Sequence, residues 1–375
     1  MPTLADIVRR HGPEYVRLFG ARMPLDQLRA LRDIERCRTP ALGGHRWLCP
    51  QCQEERFAFH SCGNRHGPAC GAQDAQSWLD RQQALLLPVT YHLCTVTVPE
   101  SLRRPIRSHP RELLALLFRA SASALLDLCA NPRWFGAVPA VTAVLHTWTR
   151  AYEYHPHIHF LVTGGGQAPD GSWREPDPGF LVPVWAFSKL ARARFRDGLR
   201  ERLPRVFAAI PSSGWTQAWV VHSKPVGSGE HTLRYLARYI HRVALSNHAI
   251  RSADDHQVTF RYRRSEDGKW RTGSVTPREF LRRFLQHVLP KGFVKVRYYG
   301  LHHASRRAAI PLLRAALCLR AERPLPPILP PPSNSKAPPG LCPRCRTPMI
   351  CVQRLAPVRF ATNWMSRRPL ETSPP

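Results

Sequence analysis

A short run of histidines near the middle of the chain has the spacing of a metal site. The segment from His155 to His159 alternates with Pro156 and Ile158 and leads into an apolar run that ends in three glycines, which predicts a β-strand. Residues two apart on a strand point to the same face, so His157 and His159 project together while Ile158 faces the core. Such a pair can bind Mg²⁺ or Mn²⁺ and leave positions open for substrate oxygens. Two strand histidines without a metal would give the same pattern.

A third ligand is available on the preceding strand. Residues 141–149 and 157–163 are predicted to form a hairpin. His146 lies on its first strand and can reach the paired histidines, which makes it a candidate metal ligand. A hydrogen-bonded core histidine is the alternative.

Two tyrosines follow on a predicted helix over 231–243. Tyr235 and Tyr239 are four residues apart and therefore share a helix face. A phenol with a pKa of about 10 is a poor nucleophile unless a metal or base activates its surroundings. Attack of a phenolate on phosphorus would leave a covalent phosphotyrosine and a free 3′ hydroxyl, which conserves the bond energy for rejoining. Ordinary core or surface tyrosines would show the same spacing.

The charge of the chain favours a polyanionic partner. Its formal charge is +29 and its pI about 10.9, and Lys and Arg release counterions when they bind phosphates. A basic stretch over 189–205 is a candidate for phosphate contact, although a solvated basic helix would look the same. The candidate DNA-binding residues near the tyrosines are Lys224, Arg234, Arg238 and Arg242.

The region from residue 37 to residue 70 predicts structural zinc. The chain has eleven cysteines, and an odd number in a basic sequence without a signal peptide argues against a disulfide framework. The CxxC spacing favours metal, and four protein ligands leave no open coordination position, so the zinc is structural. Two tetrahedral sites are predicted, with a single site as the alternative. The candidate ligands are Cys37, His45, Cys49, Cys52, His60, Cys62, His66 and Cys70.

The C-terminal part changes in composition. A proline-rich linker is predicted over 324–339, followed by Cys342-Pro-Arg-Cys345 and a basic tail. This second CxxC is either a metal-binding segment or the remnant of a zinc ribbon.

Hydrophobic periodicity predicts the elements that hold these residues. No uncharged apolar run is long enough to predict a membrane span. Helices are expected over 3–36, 72–86, 111–130, 183–208, 231–243 and 277–289, and strands over 91–98, 141–149, 157–163, 216–223 and, as a pair, 257–272.

The chain resembles the transposases of the insertion-sequence 91 type, which are HUH endonucleases. The resemblance covers roughly residues 25–315 and depends on six motifs in order: ALGGHRWLCPQC, HSCGNRHGPAC, AVLHTW, HPHIHFLVTGGG, WVVHSKP and YLARYIHRVALSN. It implies an α+β fold, in which an antiparallel-sheet HUH endonuclease domain flanked by helices follows a small zinc-binding domain. The implied division is 1–88 for the helical and zinc-binding part, 89–315 for the catalytic domain and 316–375 for the linker and tail.

The same resemblance implies an activity. His157 and His159 match the metal-binding pair, and Tyr235 and Tyr239 match the nucleophiles that cut and rejoin single-stranded DNA at transposon ends in the bacterial cytoplasm. A plasmid or phage replication initiator with the same chemistry and a decayed, DNA-binding transposase are alternatives. A zinc hydrolase is a weaker one, since the histidines lack an HExxH pattern.

One position departs from the family pattern. The family reads Arg-His-Cys-Pro-x-Cys where this chain has Gly67 after His66. A ligand of the second zinc site is therefore expected to be missing. His66 or His60 can substitute, or the site is weakened.

Overall fold

The architecture mixes helices with antiparallel sheets, as expected for an α+β protein. The computed structural model describes residues 1–149, 151–240, 246–264, 267–322, 324 and 340–358, without the side chains of residues 72, 73, 238 and 239. The chain divides into two compact units that do not follow chain order. The first unit comprises Met1–Ala72, His241–Val288 and Ser333–Pro375, and the second comprises Gln73–Ile240 and Leu289–Pro332.

Each predicted helical range contains a helix. In chain order the helices are α1 (Leu4–Phe19), α2 (Leu25–Arg36), α3 (Ala72–Gln83), α4 (Arg103–Ser108), α5 (Pro110–Ala130), α6 (Val184–Arg202), α7 (Pro204–Ala208), α8 (Ser213–Thr216), α9 (Glu230–Ile240), α10 (Pro277–Leu285) and α11 (Ile310–Arg320). The predicted ranges 3–36 and 183–208 are each divided into two helices, and α4, α8 and α11 were not predicted.

The strands include several that the periodicity did not predict. In chain order the strands are β1 (Gly44–Leu48), β2 (Glu55–Phe59), β3 (Tyr91–Thr97), β4 (Val138–Trp148), β5 (Tyr154–Gln167), β6 (Trp173–Arg174), β7 (Val220–Pro225), β8 (Ile250–Ala253), β9 (Val258–Arg263), β10 (Trp270–Val275), β11 (Val296–Gly300) and β12 (Ile350–Leu355). Those not predicted are β1, β2, β6, β8, β11 and β12.

The second unit is built on a six-stranded antiparallel sheet. Its strand order is β11-β4-β5-β3-β7, with β6 paired to β5. Ile158, Phe160 and Val162 of β5 are fully buried on one face, where they pack with α5 and α6. Each buried aliphatic or aromatic side chain contributes about 1.5–3 kcal/mol, so this layer is the main core of the unit. Because side chains alternate along a strand, His157 and His159 lie on the opposite face.

The first unit contains two small sheets and three of the helices. One sheet has the order β12-β1-β2 and the other β10-β9-β8. Helix α1 begins with a capping box, in which the Thr3 side chain accepts from the Asp6 N–H and the Asp6 carboxylate accepts from the Thr3 N–H. Helix α10 begins at the predicted Thr276-Pro277 signal, and the Thr276 hydroxyl accepts from the Glu279 N–H.

Helix α5 is long and apolar enough to cross a membrane by length and composition alone. Most of its apolar side chains, including Leu114, Leu117 and Phe118, are buried in the core. It therefore matches the predicted buried helix over 111–130.

Gly300 ends β11 at a point where no side chain fits. Its φ is +57°, and an added Cβ would overlap the carbonyl oxygen of Pro139 on the neighbouring strand. Gly300→Ala should lower the free energy of unfolding by about 2–5 kcal/mol, since left-handed backbone costs about 1–2 kcal/mol and overpacking about 1–3 kcal/mol. Urea denaturation followed by circular dichroism measures this loss.

Gly292→Ala is the matched control. Gly292 also has a positive φ (+76°), but nothing lies within 4 Å of an added Cβ, so only the backbone cost of about 1–2 kcal/mol is expected. Equal losses in the two variants would contradict the close approach to Pro139.

Candidate functional site

Three histidines converge on one face of the six-stranded sheet. His146 of β4 pairs directly with His157 of β5, and His159 lies two residues further along β5. One ring nitrogen from each of the three lies within 4.8 Å of the others, and the ring centroids are 4.6–5.3 Å apart. The hairpin thus brings together all three predicted metal ligands.

Hydrogen bonds at Nδ1 orient the paired imidazoles. His157 donates from Nδ1 to the carbonyl oxygen of His155 over 2.7 Å, which leaves the Nε2 lone pair for a ligand. Nδ1 of His159 is 2.9 Å from the Thr95 hydroxyl of β3, which can accept its proton. Such second partners fix the ring and tautomer of metal-binding histidines.

Burial keeps the three imidazoles neutral. Desolvation lowers the pKa of His157 to about 4 and that of His159 to about 3, and it holds the pKa of the buried His146 well below its ordinary value. A metal binds the neutral ring. Three neutral imidazoles on one face therefore fit a divalent ion with open positions for substrate oxygens.

Helix α9, which carries the tyrosine positions, packs on the histidine face. Leu233 and Leu236 of the helix are buried against Val144 and Leu161 of the sheet, and these two strand residues share the face of His146 and His159. Tyr235 is half-buried and packs against this cluster.

The second predicted nucleophile is only partly described. The backbone of Tyr239 continues α9 in the same helical register, whereas its side chain lies outside the described part of the chain. The helix thus presents the backbone of both tyrosine positions on the histidine face of the sheet.

The predicted DNA-binding residues fall into different places. Lys224 is exposed on β7 opposite Leu93, on the histidine face, and its charge contributes to the lowered pKa of His159. Arg234 is exposed on α9 and forms an ion pair with Glu230 at 3.4 Å. The side chain of Arg238 and the whole of Arg242 lie outside the described residues.

The predicted basic stretch over 189–205 is not part of this site. It forms most of α6 and the start of α7, and α6 packs through Phe195 and Leu199 on the face of the sheet opposite the histidines. Arg192 donates to the carbonyl oxygens of Thr216 and Gln217.

The sequence did not reveal two neighbours of the histidines. Thr95 orients His159, and the buried Lys295 places its Nζ 4.7 Å from the ring centroid of Trp148. The charge of Lys295 contributes to the lowered pKa of His146. Neither residue is part of a sequence motif, so only the pairing of the strands shows that they lie beside the histidines.

Three of the predicted zinc ligands form a compact thiol cluster in the first unit. Cys37, Cys62 and Cys70 have their sulfur atoms within 4.8 Å of one another. The Cys62 side chain and its backbone N–H hydrogen-bond to Cys37 and lower the pKa of that thiol to about 5. This favours the zinc-binding thiolate form at Cys37, while the hydrogen bond to Cys37 raises the pKa of Cys62.

The fourth family position lies at the edge of this cluster. A Cβ built on Gly67 would be 3.8 Å from the Cys70 sulfur, so a cysteine there would bring a fourth thiol to the same place. The buried His66 instead hydrogen-bonds through Nδ1 to the Asn64 side chain at 3.0 Å.

A second cluster joins the two CxxC segments. Cys49 and Cys52 lie with Cys342 and Cys345, all four sulfur atoms within 4.8 Å of one another. The remaining predicted ligands, His45 and His60, are neighbours with ring centroids 5.0 Å apart. They are not in either cysteine cluster among the described residues.

Comparisons with known proteins match both parts of the chain. A family model described as "Transposase zinc-binding domain" matches residues 7–98, and one described as "Putative transposase" matches residues 140–309. "Putative transposase y4qJ" of Sinorhizobium fredii is 39% identical over 318 residues, which cover 80% of each chain. "Transposase for insertion sequence element IS801" of Pseudomonas savastanoi pv. phaseolicola is 27% identical over 72% of this chain and 70% of the relative. No solved structure matches the chain.

Replacing His157 and His159 together by alanine should weaken Mn²⁺ binding by more than about 100-fold, because even the loss of an outer hydrogen-bond partner costs about 10–100-fold. Electron paramagnetic resonance of Mn²⁺, titrated into protein whose cysteine sites are already filled with zinc, measures the bound fraction. Thr95→Val should weaken binding by about 10-fold or more through the lost partner of His159.

His303→Ala serves as the control, because His303 belongs to the same unit but is exposed and hydrogen-bonds to Ser305. Binding that is the same in the His157 and His159 double variant as in this control would mean that the histidine trio is not the manganese site.

Gly67→Cys should make zinc retention by the cluster of Cys37, Cys62 and Cys70 at least about tenfold tighter, because it supplies the fourth thiolate of a tetrahedral site. The release of zinc to a chromogenic chelator measures retention. Gly67→Ser is the matched control, since it places the same Cβ beside the Asn64 carbonyl oxygen but carries a hydroxyl in place of the thiol. The same release curve for both variants would argue that position 67 does not reach the metal.

Proposed function

The chain belongs to the IS91 family of transposases, and from this premise we propose that it nicks and rejoins single-stranded DNA at transposon ends through tyrosine nucleophiles. The supporting observation is the convergence of His146, His157 and His159 on the sheet face that α9 covers. This is the arrangement expected of an HUH endonuclease domain, which we propose for the second unit. A transposase zinc-binding domain in the same chain favours transposition over plasmid or phage replication.

The proposed reaction is an in-line exchange at phosphorus. The phenolic oxygen of Tyr235 or Tyr239 attacks the scissile phosphate, a new O–P bond forms, and the bond to the 3′ oxygen breaks. The phenol loses its proton and the leaving 3′ oxygen takes one up, so the products are a 5′-phosphotyrosine and a 3′ hydroxyl. The reverse attack by a 3′ hydroxyl on the phosphotyrosine restores the phosphodiester, so no external energy source is needed. The second tyrosine serves the second cleavage or the strand transfer.

Mg²⁺ or Mn²⁺ held by the three imidazoles would supply Lewis-acid polarisation of the scissile phosphate. The contributions of the chain itself are positional. Thr95 and the His155 carbonyl oxygen orient the imidazoles, and the buried residues of α9 fix the helix on the sheet, with Tyr235 half-buried against that contact. The helix packing thereby holds Tyr235 on the sheet face that carries the imidazoles.

DNA is the proposed partner. The exposed ammonium group of Lys224 is on the histidine face, and the exposed guanidinium of Arg234 is on α9. Both suit a strand that is guided across the sheet towards the tyrosines. We place this activity in the bacterial cytoplasm, with zinc stabilising the first unit as a structural DNA-binding or scaffold module.

A labelled single-stranded oligonucleotide that carries the element's terminal sequence tests the chemistry. With Mn²⁺ or Mg²⁺, the wild-type protein should form a DNA–protein adduct that survives a denaturing gel. Replacing both Tyr235 and Tyr239 by phenylalanine should reduce the adduct by at least about 10³-fold, the usual scale for the loss of a nucleophile. Each single variant reports which tyrosine forms the first adduct.

Tyr262→Phe is the control, because Tyr262 lies on β9 in the first unit and not on α9. Retarded DNA on a native gel with neither a nick nor an adduct, from folded protein and the correct terminal sequence, would replace the proposal with a transposase that binds DNA but no longer cleaves it.

A further inference from the structure

The four-cysteine cluster of the first unit joins segments from opposite ends of the chain. Cys49 and Cys52 follow β1, whereas Cys342 and Cys345 follow the proline-rich stretch, and the family zinc-binding match ends at residue 98. The Cys49 sulfur lies 3.3 Å from that of Cys345, and the Cys52 sulfur lies 3.5 Å from that of Cys342. Cys49 and Cys342 are fully buried.

The sulfur spacing favours a metal over a disulfide. A disulfide requires about 2.05 Å between sulfur atoms. Four thiolates at about 2.3 Å from a central zinc stand about 3.8 Å apart. The observed separations of 3.3–3.5 Å are much closer to the tetrahedral value.

The two CxxC segments adopt the same turn. In the first, the Gln53 N–H donates to the Cys49 carbonyl oxygen at 3.0 Å, and the Cys49 N–H donates to that of Glu54 at 2.9 Å. The second segment repeats this pattern. The Arg346 N–H donates to the Cys342 carbonyl oxygen, and the Cys342 N–H donates to the Thr347 carbonyl oxygen, both at 2.9 Å.

The backbone conformation is repeated as well. The residue after the second cysteine has a left-handed backbone in both segments, with φ of 58° at Gln53 and 63° at Arg346. Two copies of one turn, facing each other with two thiols each, form the two halves of a tetrahedral site.

The described part of the tail is held mainly by hydrogen bonds and by the contacts around the four cysteines. Strand β12 pairs with β1 along its length, yet almost all of its side chains are exposed, including Ile350 and Val352. The buried apolar contacts of this region are concentrated at the cluster itself, where Met349 and Trp47 pack against the cysteines. A metal ion bound by the four cysteines would supply the stability that this small apolar contact does not.

We propose that Cys49, Cys52, Cys342 and Cys345 bind one structural zinc ion, so that the C-terminal CxxC completes the zinc-binding module begun near the N-terminus. The segment after the proline-rich stretch is then a working part of the module and not a remnant of one. All four positions of the ion are filled by thiolates, so this site has no open position for a substrate. The proposal is independent of the proposed DNA cleavage.

Metal analysis of the purified full chain provides the first test. The double variant Cys342→Ser, Cys345→Ser should contain about one zinc ion per chain less than the wild type, because two ligands of a tetrahedral site are gone. Cys351→Ser is the control, since Cys351 is exposed on β12 and outside the cluster. Cobalt substitution should show the thiolate-to-cobalt absorption falling in the double variant only. Unchanged zinc content in the double variant, or iron in place of zinc, would overturn the assignment.

A second test keeps every cysteine and so does not depend on the stability of a variant. A specific protease site is inserted between residues 325 and 338, and the chain is cut after purification. The tail fragment should remain with the rest of the protein on gel filtration in the presence of zinc and separate from it after a chelator is added. A tail that separates with zinc still bound to the larger fragment, or that stays in place after all zinc is removed, would refute the proposal.

Discussion

The two-residue alternation of β5 connects the core of the second unit to its candidate site. Ile158, Phe160 and Val162 hold the strand against α5 and α6, and this burial obliges His157 and His159 to lie on the other face. A slip of one residue in register would bury two imidazoles and expose the core, which costs several kilocalories per mole. The same packing that stabilises the sheet therefore fixes the metal ligands, and the pairing with β3 and β4 adds Thr95 and His146.

The sequence predicted those parts of this arrangement that depend on patterns among neighbouring residues, and it missed those that depend on the pairing of distant strands. The histidine hairpin, the buried helix over 111–130 and the helix with Tyr235 were predicted because alternation and helical periodicity are properties of neighbouring residues. Lys295 was missed because it reaches the site only through the pairing of β11 with β4, which no local pattern specifies. The basic stretch over 189–205 was a candidate for phosphate contact or a solvated helix, and the local pattern did not show that its apolar residues pack α6 on the face opposite the histidines.

The cysteines show the same limit on a larger scale. Spacing marked Cys49 and Cys52 as half of a zinc site, and local order suggested partners between residues 37 and 70. The structure groups Cys37, Cys62 and Cys70 separately and brings Cys342 and Cys345 to the first pair. A tetrahedral zinc site can combine cysteines from any part of the chain. The CxxC spacing therefore identifies each half of such a site well but does not show which other half completes it.

The pairing of β12 with β1 has a consequence for how the protein is made. A ribosome completes β1 before residues 49–349 and β12 after them, so the nascent chain carries an unfinished sheet edge while those residues are synthesised. Unpaired strand edges invite association with other chains. A stop codon before residue 350 would leave that edge permanently unpaired, and the structural defect would then lie at β1, far along the chain from the stop codon.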